Sequence, residues 1–516
     1  MTYTLTTPLY YVNDRAHLGS TYTTLACDSI ARFRRLQGER VTFITGCDEH
    51  GLKIQRSAEA SGLTPQAHCD AISGEYRDLW RRWGISNDRF IRTTDPRHRA
   101  IVEQFFARVE ASGDVIEGRQ QGWYCVACEE FKEESAAAQE PHCPIHLRPL
   151  EWRDELNLFF RLSRYQEQIE QLVASETFIA PRSRRREVEN FVAGGLRDFS
   201  ISRLDLPWGI PVPGYEGHTF YVWFDALLGY LSALLGPDDP ADLGLLAERG
   251  WPAQLHVIGK DILRFHAVYW PAMLLSAGLP LPEKVFGHGF LTREGQKMGK
   301  SLGNVLDPDM LLQRCGADAV RWYLLRDIPF GDDGDFQQQR FSDLVNNDLA
   351  NTIGNLLNRT SSMARRWFDE AVPPAGDAAD ADHPLALRAT ACGVAVDAAF
   401  EALDFRMAAV AILELAEAAN GFLNDRAPWK AIKSEEGRAG VAEDLYAVLE
   451  TSRWVAVLLA PLLPDLSGRM LGQLGQPPLA GDTGWTAARH WGKLACGHPL
   501  PEPTPVLTRL ELDSPL

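Results

Sequence analysis

Thr4-Leu5-Thr6-Thr7-Pro8-Leu9-Tyr10-Tyr11, the loop from Val12 to Gly19, and the run from Ser20 to Gly38 decide the fold of this chain. The first eight residues are β-branched, aromatic or apolar and read as a strand. Asn13, Asp14 and Gly19 break the pattern and mark a loop. From Ser20, apolar Tyr22, Leu25, Ala26, Ile30 and Phe33 recur at helical spacing, and Gly38 ends the run. Val41-Thr42-Phe43-Ile44 is a second strand. Strand, helix and strand form a βαβ unit, whose ligand lies beyond the strand carboxyl ends, at the helix N-terminus. His17-Leu18-Gly19-Ser20 falls there. An imidazole and closely approaching backbone at a positive helix end suit a polyphosphate. A surface loop with one histidine fits the same four residues.

Working outward, Asp48-Glu49-His50-Gly51 follows the second strand and puts polar groups on the ligand edge of an open sheet. Residues 47–113 read as helices packed on the first unit. Near Ile116 the pattern breaks. Cys125 and Cys128 are followed, after fourteen residues, by Cys143 and His146. This C-x2-C and C-x2-H pairing suits a closed tetrahedral zinc site. With four protein ligands it leaves no open position, so the metal is expected to staple an insertion and do no chemistry.

Core architecture resumes near 217. Thr219 to Phe224 reads as a strand and Asp225 to Leu235 as a helix. Leu255 to Ile258 is another strand, and Gly259-Lys260-Asp261 opens a helix whose apolar face is Ile262, Phe265, Tyr269 and Met273. Val285-Phe286 is a short strand before Gly287-His288-Gly289. Asp307-Pro308 is a helix cap followed by proline at the first helical position. The segment 342–470 reads as four or five amphipathic helices. The expected fold is α/β: a split, Rossmann-like, doubly wound parallel sheet with a zinc-bearing insertion, then an all-α bundle. Its parts are 1–113 and 216–290 for the two halves of the sheet domain and 114–215 for the insertion. Residues 291–341 carry a Gly-rich lysine loop, 342–470 the bundle and 471–516 a tail.

The 516 residues carry a net charge of −17, which argues against indiscriminate nucleic-acid binding. A nucleic-acid partner then needs a local basic patch. Arg182, Arg184, Arg185 and Arg186 offer one, although a solvated helix face fits them equally. Nine cysteines without disulfide-framework spacing point to a reducing, cytoplasmic compartment. No apolar run reaches the roughly 20 residues that span a bilayer, and the chain opens without a secretory leader.

His17-Leu18-Gly19-Ser20 and Lys297-Met298-Gly299-Lys300-Ser301 together resemble the HIGH and KMSKS signatures of class I aminoacyl-tRNA synthetases. Ser20 stands where the second histidine is usual, and Gly299 where the first serine is. Tyr10 to Asp14, Thr45 to Gly51, the cysteine–histidine set, Tyr221 to Ala226, Ile258 to Ile262, Phe265-His266 and Trp270 to Met273 narrow the resemblance. In order and spacing they are similar to the methionyl-tRNA synthetase family from Tyr3 to about Pro464.

The resemblance implies ATP-dependent activation of L-methionine to methionyl-adenylate, then transfer to the 3′ end of tRNA(Met), including the initiator. It implies catalysis by His17, Lys297 and Lys300. ATP binding is carried by these residues with Gly19, Ser20, His288 and Ser301, with Gly287 and Gly289 letting backbone approach the adenosine. Methionine binding falls to Leu9, Tyr11, Asp48, Trp223, Leu227, Tyr230, Asp261, Phe265 and His266. A carboxylate at a strand end suits an ammonium, and aromatic edges suit a thioether sulfur. Taken alone, Trp223 and Phe265 read equally as core packing, and Asp261 as a helix cap. One structural Zn2+ at Cys125, Cys128, Cys143 and His146 and Mg2+ carried by ATP complete the cofactors. In the bundle, Asn355, Arg359 and Trp429 match positions that read the anticodon, by base-edge contacts and stacking. A monomer is expected.

Rival readings are another class I synthetase, a class I-like small-molecule nucleotidyltransferase and a non-catalytic tRNA-binding module. A branched-chain synthetase needs a larger editing insertion. The nucleotidyltransferase has no use for the bundle. Lys297, Lys300 and Asp48 argue against the non-catalytic module.

Overall fold

The structure is a computed structural model that describes residues 2–126, 130–132, 141–143, 148–298, 303–479, 484–512 and 516. In chain order its elements begin with β1 (Thr2–Tyr11), α1 (Leu18–Leu36), β2 (Arg40–Asp48), α2 (Leu52–Ala60), α3 (Pro65–Arg82), β3 (Arg89–Arg92) and α4 (Pro96–Ala111). The insertion follows as β4 (Val115–Cys125), β5 (Glu130–Lys132), β6 (Glu151–Phe160), α5 (Gln166–Ala174), β7 (Ile179–Ala180), α6 (Arg182–Ala193), β8 (Phe199–Ser200) and β9 (Ser202–Leu204). Then come β10 (His218–Phe220), α7 (Val222–Ser232), β11 (Leu255–Gly259), α8 (Trp270–Ser276) and β12 (Val285–His288).

By contacts the chain divides into two compact units, residues 1–16 with 41–288, and residues 17–40 with 289–516. The first holds a six-stranded sheet in the order β3-β2-β1-β11-β12-β7. The registered pairs β2–β3, β1–β11, β11–β12 and β12–β7 all run parallel. The chain leaves β1 for β2 on one side and reaches β11 on the other, so the switch point lies between β1 and β11. A crevice for ligand is expected at their carboxyl ends. Gly46 in β2 has no alternative residue, because a Cβ there would land on the backbone of Ile91 in β3.

Phe105, Phe224, Trp270 and Leu228, all 0% exposed, belong to one hydrophobic cluster with Ile258 of β11. Burying each such side chain contributes about 1.5–3 kcal/mol. In the insertion, β4 and β6 form a long antiparallel hairpin from Val115↔Phe160 to Tyr124↔Glu151. The insertion also returns β7 to the edge of the parallel sheet, a two-residue strand too short for periodicity to reveal. The strand expected over 219–224 is shorter. It ends at Phe220, and Trp223 lies in the first turn of α7. Aromatic and β-branched residues raised strand propensity there, but packing against α4 decided for helix. β3, with one buried residue in four, escaped the pattern reading.

The second unit holds α1 together with β13 (Leu291–Arg293), β14 (Gln296–Lys297), α9 (Pro308–Cys315), α10 (Ala317–Arg326), β15 (Gly334–Phe336) and α11 (Gln338–Leu344). A wide π-helical stretch, Val345–Gly354, leads into α12 (Asn355–Trp367). After it come α13 (Pro384–Glu401), α14 (Phe405–Arg426), α15 (Pro428–Ala431), α16 (Glu435–Leu459), α17 (Pro464–Gln473) and α18 (Trp485–Ala488). Asp307 caps α9 through Asp309 N, with Pro308 at the first position, as expected.

Helix α1 is fastened inside this unit. Arg321 of α10, 0% exposed, pairs with Asp28 of α1 at 2.8 Å and donates to the Leu462 carbonyl at 2.6 Å. Phe33 stacks on Phe400 at 4.3 Å. Among the described residues no helix is long and apolar enough to cross a membrane.

Asp318 on α10 is 4% exposed, and burial pushes its carboxyl up to about 6. A folded-state value above the ordinary 3.8 means the folded protein holds the proton more tightly than the unfolded chain. The resulting stability is complete below about pH 4 and is lost as pH rises through about 6. Asp318→Asn removes that loss and can still accept from Leu466 N. The variant should therefore exceed the wild type in thermal midpoint at pH 7.5. The difference, up to about 3 kcal/mol, should vanish by pH 4 in melts recorded across that range.

Candidate functional site

The carboxyl edge of the sheet gathers residues expected to hold an amino acid and, in His288, one expected to contact the nucleotide. Leu9 and half-buried Tyr11 end β1, Asp48 ends β2 at 7% exposure, and Asp261 and His288 follow or end β11 and β12. The loop after β2 is rigidly held. Glu49, with no exposed surface, accepts from Arg92 Nε at 2.6 Å and from the hydroxyls of Ser73 and Thr94. Its carbonyl accepts from Trp208 Nε1 at 2.6 Å. Asp48, whose own carbonyl accepts from Val12 N at 3.2 Å, thus stands on a loop tied from three directions.

Helix α7 faces this edge with Trp223, Leu227 and Tyr230, spaced four and three, on one side. Trp223 stacks flat on Phe265 with ring centroids 4.0 Å apart and planes 8° apart. Phe265 and His266 lie in a π-helical turn, Phe265–Tyr269, that runs into α8. Such wide turns re-aim side chains and gather at functional sites. His266 donates from Nδ1 to the Ile262 carbonyl at 3.1 Å and accepts at Nε2 from the Tyr230 hydroxyl at 2.8 Å. Burial pushes this imidazole down to about 4, so it is neutral at physiological pH. This stretch of α7 and the π-helical turn therefore present aromatic surface without an added positive charge. Gly229 has a packing reason: a Cβ there would overlap Leu9 Cδ1. At Gly259 a Cβ would lie 2.5 Å from Asp261 Oδ1, so the glycine lets that exposed carboxylate fold back.

His50, read from the sequence only as one of several polar groups on the ligand edge, joins two residues given no role there, Asp225 and His98, on the far side of α7. Asp225 of α7, 0% exposed, receives His50 Nδ1 and His98 Nε2, each at 2.6 Å. Burial alone would raise its carboxyl, but the two histidines hold it at about 2. The signal was present as a lone carboxylate inside the apolar run Phe224-Asp225-Ala226, but no spacing pointed to His98.

Of the residues expected to meet the nucleotide, His17, Gly19, Ser20 and Lys297 lie in the second unit. Exposed His17 caps α1: its Nδ1 accepts from Gly19 N at 3.1 Å and Ser20 N at 3.3 Å. Ser20 Oγ donates to the His17 carbonyl at 2.7 Å and accepts from His17 N at 3.1 Å, closing a capping box. Serine at the usual second-histidine position thus shapes the turn. A neutral ring that accepts at Nδ1 carries its proton on Nε2. The missing Cβ of Gly19 makes room for the His17 ring itself, which a Cβ would meet at 2.9 Å. At Gly289 the space is taken by the Asp332 backbone. Lys297 is exposed on the β13–β14 hairpin, whose turn residues Glu294 and Gly295 both have positive φ. Asp335 pins that turn by accepting from Gly295 N at 2.8 Å and Thr292 Oγ1 at 2.6 Å. Lys300 and Ser301 lie outside the described residues.

Of the zinc set, Cys125 ends β4 at 1% exposure and Cys143 is 0% exposed, while Cys128 and His146 lie outside the described residues. Among the described residues no group of three or more histidine, cysteine or acidic side chains is placed to hold a metal. In the basic run on α6, Arg184 and Arg185 are largely covered and pair with Glu187 at 3.6 Å and Glu189 at 3.4 Å. Half of that patch is therefore neutralised by its own helix.

In the bundle, Asn355 is exposed and Arg359 stands one turn further on α12. Arg359 Nη2 donates to Asn424 Oδ1 at 3.0 Å, near the end of α14. Ala427, with φ 44°, ends α14 and turns the chain into α15, where Trp429 is 40% exposed. A core tryptophan would be covered. The sequence reading did not anticipate Asn420 and Asn424 as the holders of Arg359.

A family model described as tRNA synthetases class I (M) matches residues 3–145 and 132–361. A second, the anticodon binding domain of methionyl tRNA ligase, matches residues 372–514. The methionine–tRNA ligase of Synechocystis sp. is 53% identical over 524 residues, covering 99% of this chain and 98% of that protein. The chloroplastic/mitochondrial methionine–tRNA ligase of Arabidopsis thaliana is 49% identical, covering 99% of this chain and 83% of its own length. The structure of Mycobacterium tuberculosis methionyl-tRNA synthetase in complex with methionyl-adenylate superposes with a TM-score of 0.93 at 41% identity, covering 98% of this chain and 100% of that one. With a family model matching residues 3–145 and 132–361 and full-length relatives about half identical to it, the chain belongs to the methionyl-tRNA synthetases of class I.

Proposed function

We infer that this chain activates L-methionine with ATP and transfers it to the 3′ end of tRNA(Met), the initiator included. The observation that carries the reading is Asp48 on a pinned strand-end loop in the unit that holds the stacked Trp223–Phe265 pair, within a chain of this family. In this reading Asp48 takes the methionine ammonium. Leu9, Tyr11, Trp223, Leu227, Tyr230, Phe265 and His266 surround the thioether, and Asp261 shapes the mouth of the pocket. The methionine carboxylate attacks the α-phosphorus, forming an acyl–phosphate bond as the bond to pyrophosphate breaks. A ribose hydroxyl of the tRNA terminal adenosine then attacks the adenylate carbonyl and releases AMP. No protein nucleophile is needed. The chain contributes positioning and donors for charge growing on phosphate oxygens.

His17 donates from Nε2, and Lys297 and Lys300 supply cations for the phosphates. Gly19, Ser20, His288 and Ser301 complete the nucleotide contacts. Mg2+ arriving with ATP neutralises phosphate charge when bound.

One structural zinc on Cys125, Cys128, Cys143 and His146 belongs to the same reading. The two described thiols are both buried. Cys143 N donates to the Arg148 carbonyl at 2.8 Å, and Leu150 N to the Pro141 carbonyl at 2.9 Å. Three sulfur donors and one imidazole are the chemistry of a structural zinc site, and zinc would supply folding energy to the insertion when bound. Asn355, Arg359 and Trp429 read the CAU anticodon. The scattered cysteines support a cytoplasmic setting, and we read the protein as a monomer, which sedimentation would check.

Lys297→Ala and Lys300→Ala should each slow adenylate formation at least about a hundredfold, about 3 kcal/mol, the scale of one lost donor at a transition state. Methionine binding should change little. Adenylate formation unchanged in a pre-steady-state assay would remove the lysine loop from the mechanism.

Elemental analysis of purified protein should find about one zinc per chain. Cys143→Ser should lower the metal content and slow transfer to tRNA more than adenylate formation. Full stability and activity in a zinc-free preparation would exclude this site.

Trp429→Ala removes a stacking surface worth about 1–3 kcal/mol per base. Charging of CAU tRNA should fall by one to two orders of magnitude while pyrophosphate exchange, which needs no tRNA, stays near wild type. Arg359→Ala should behave alike and relax discrimination among anticodons. A lowered melting temperature with unchanged relative charging of CAU and altered-anticodon tRNAs would mean that Trp429 only packs.

A further inference from the structure

Asp225 lies on the opposite side of α7 from the pocket face. It stands two residues after Trp223 and two before Leu227, and residues two apart on a helix do not face each other. What it touches is the framework. Its Oδ2 receives His50 Nδ1 at 2.6 Å, and His50 is two residues past Asp48, with its backbone N–H 3.5 Å from Asp48 Oδ1. Its Oδ1 receives His98 Nε2 at 2.6 Å, from the first turn of α4. His98 Nδ1 lies 2.8 Å from Ser232 Oγ, seven residues beyond Asp225 on the same face of α7. Ser232 in turn bonds the Gly229 carbonyl at 3.2 Å, at the position where the missing Cβ admits Leu9. Asp225, His98 and Ser232 are 0%, 0% and 4% exposed, and His50 is 6% exposed. One carboxylate therefore ties together the loop carrying Asp48, the helix carrying Trp223, Leu227 and Tyr230, and α4.

We propose that Asp225, through His50 and His98, is a positioning residue for methionine recognition, setting the span between the ammonium-binding carboxylate and the thioether pocket without touching substrate. The proposal rests on the assignment of Asp48 and Trp223 to methionine. Two hydrogen bonds to one buried anion fix both its position and its orientation, whereas apolar packing alone lets α7 slide against the loop. A small displacement here changes how well one end of methionine fits while the other is held. Among the described residues, the hydrogen bonds of Asp225, His50, His98 and Ser232 run to the framework of the amino-acid side, so the effect should fall on one substrate only.

The test is pyrophosphate exchange with the full-length protein. Asp225→Asn keeps the shape and one acceptor but removes the charge that serves both histidines. It should raise the KM for methionine about tenfold or more, with KM for ATP and kcat within about twofold. Ser232→Ala, which leaves both contacts to Asp225 in place, should give a smaller rise of about two- to threefold, also confined to methionine. A methionine KM within about twofold of wild type in Asp225→Asn overturns the proposal, as does a parallel rise for both substrates, the mark of general loosening. Should Asp225→Asn fail to fold, His98→Gln is judged by the same split. Asp48→Asn separates the two layers of the argument. If it raises the methionine KM and Asp225→Asn does not, the positioning role alone fails. If Asp48→Asn has no effect, the pocket assignment fails and the proposal with it.

Discussion

A carboxylate removed from water must be met by donors or it gives up its charge. That constraint recurs wherever this chain joins distant segments. Asp225 meets His50 and His98, and Glu49 meets Arg92. In the second unit Asp28 meets Arg321, and Glu450 meets Arg453 at 2.6 Å, each pair with almost no exposed surface. Arg453 also donates to the Ala488 and His490 carbonyls, and Glu450 accepts from Lys493 N and Leu494 N. Apolar packing is tolerant of small slips, and a hydrogen-bonded buried ion is not. Such pairs need not add net stability, because burying both charges costs about what their attraction returns, but removal of one partner is costly. They hold a particular arrangement.

In the first unit this fixes the edge of the sheet where chemistry is expected. Parallel strands bring Leu9, Tyr11, Asp48 and His288 to one side because all of them leave the sheet at its carboxyl end. Glu49 keeps the Asp48 loop from moving, and the π-helical turn at Phe265–Tyr269 brings Phe265 onto Trp223. Strand ends and two helices thus supply the residues expected to meet an amino acid, with the Trp223–Phe265 stack on one side of α7 and Asp225 on the other.

The second unit joins the capped histidine of α1, the lysine hairpin and the bundle. Arg321 bonds α1 to the turn before α17, and the Phe33–Phe400 stack extends the contact to α13. A helix read in the sequence as part of the βαβ unit therefore takes most of its packing partners from residues beyond 288. Aligned strands and a helix in sequence order do not say which neighbours cover the far face of that helix.

The sequence by itself determined the class of the sheet domain, the helical run that became α1, the capped start of α9 and the helical character of the C-terminal part. These are local properties: strand propensity at Thr4–Tyr11, helical spacing from Ser20, a cap followed by proline at Asp307-Pro308, and motifs in fixed order. What only the tertiary structure decided were relations between residues far apart in the chain. The return of Ile179–Ala180 to the sheet edge, the start of α7 before Trp223, the order in the tail imposed by Glu450 and Arg453, and the joining of His50, His98 and Asp225 all depend on partners 30 to 175 residues away. Periodicity reports which face of an element is apolar. It carries no information about which distant polar group will meet a charge once water has been excluded, and that meeting is what orders the site.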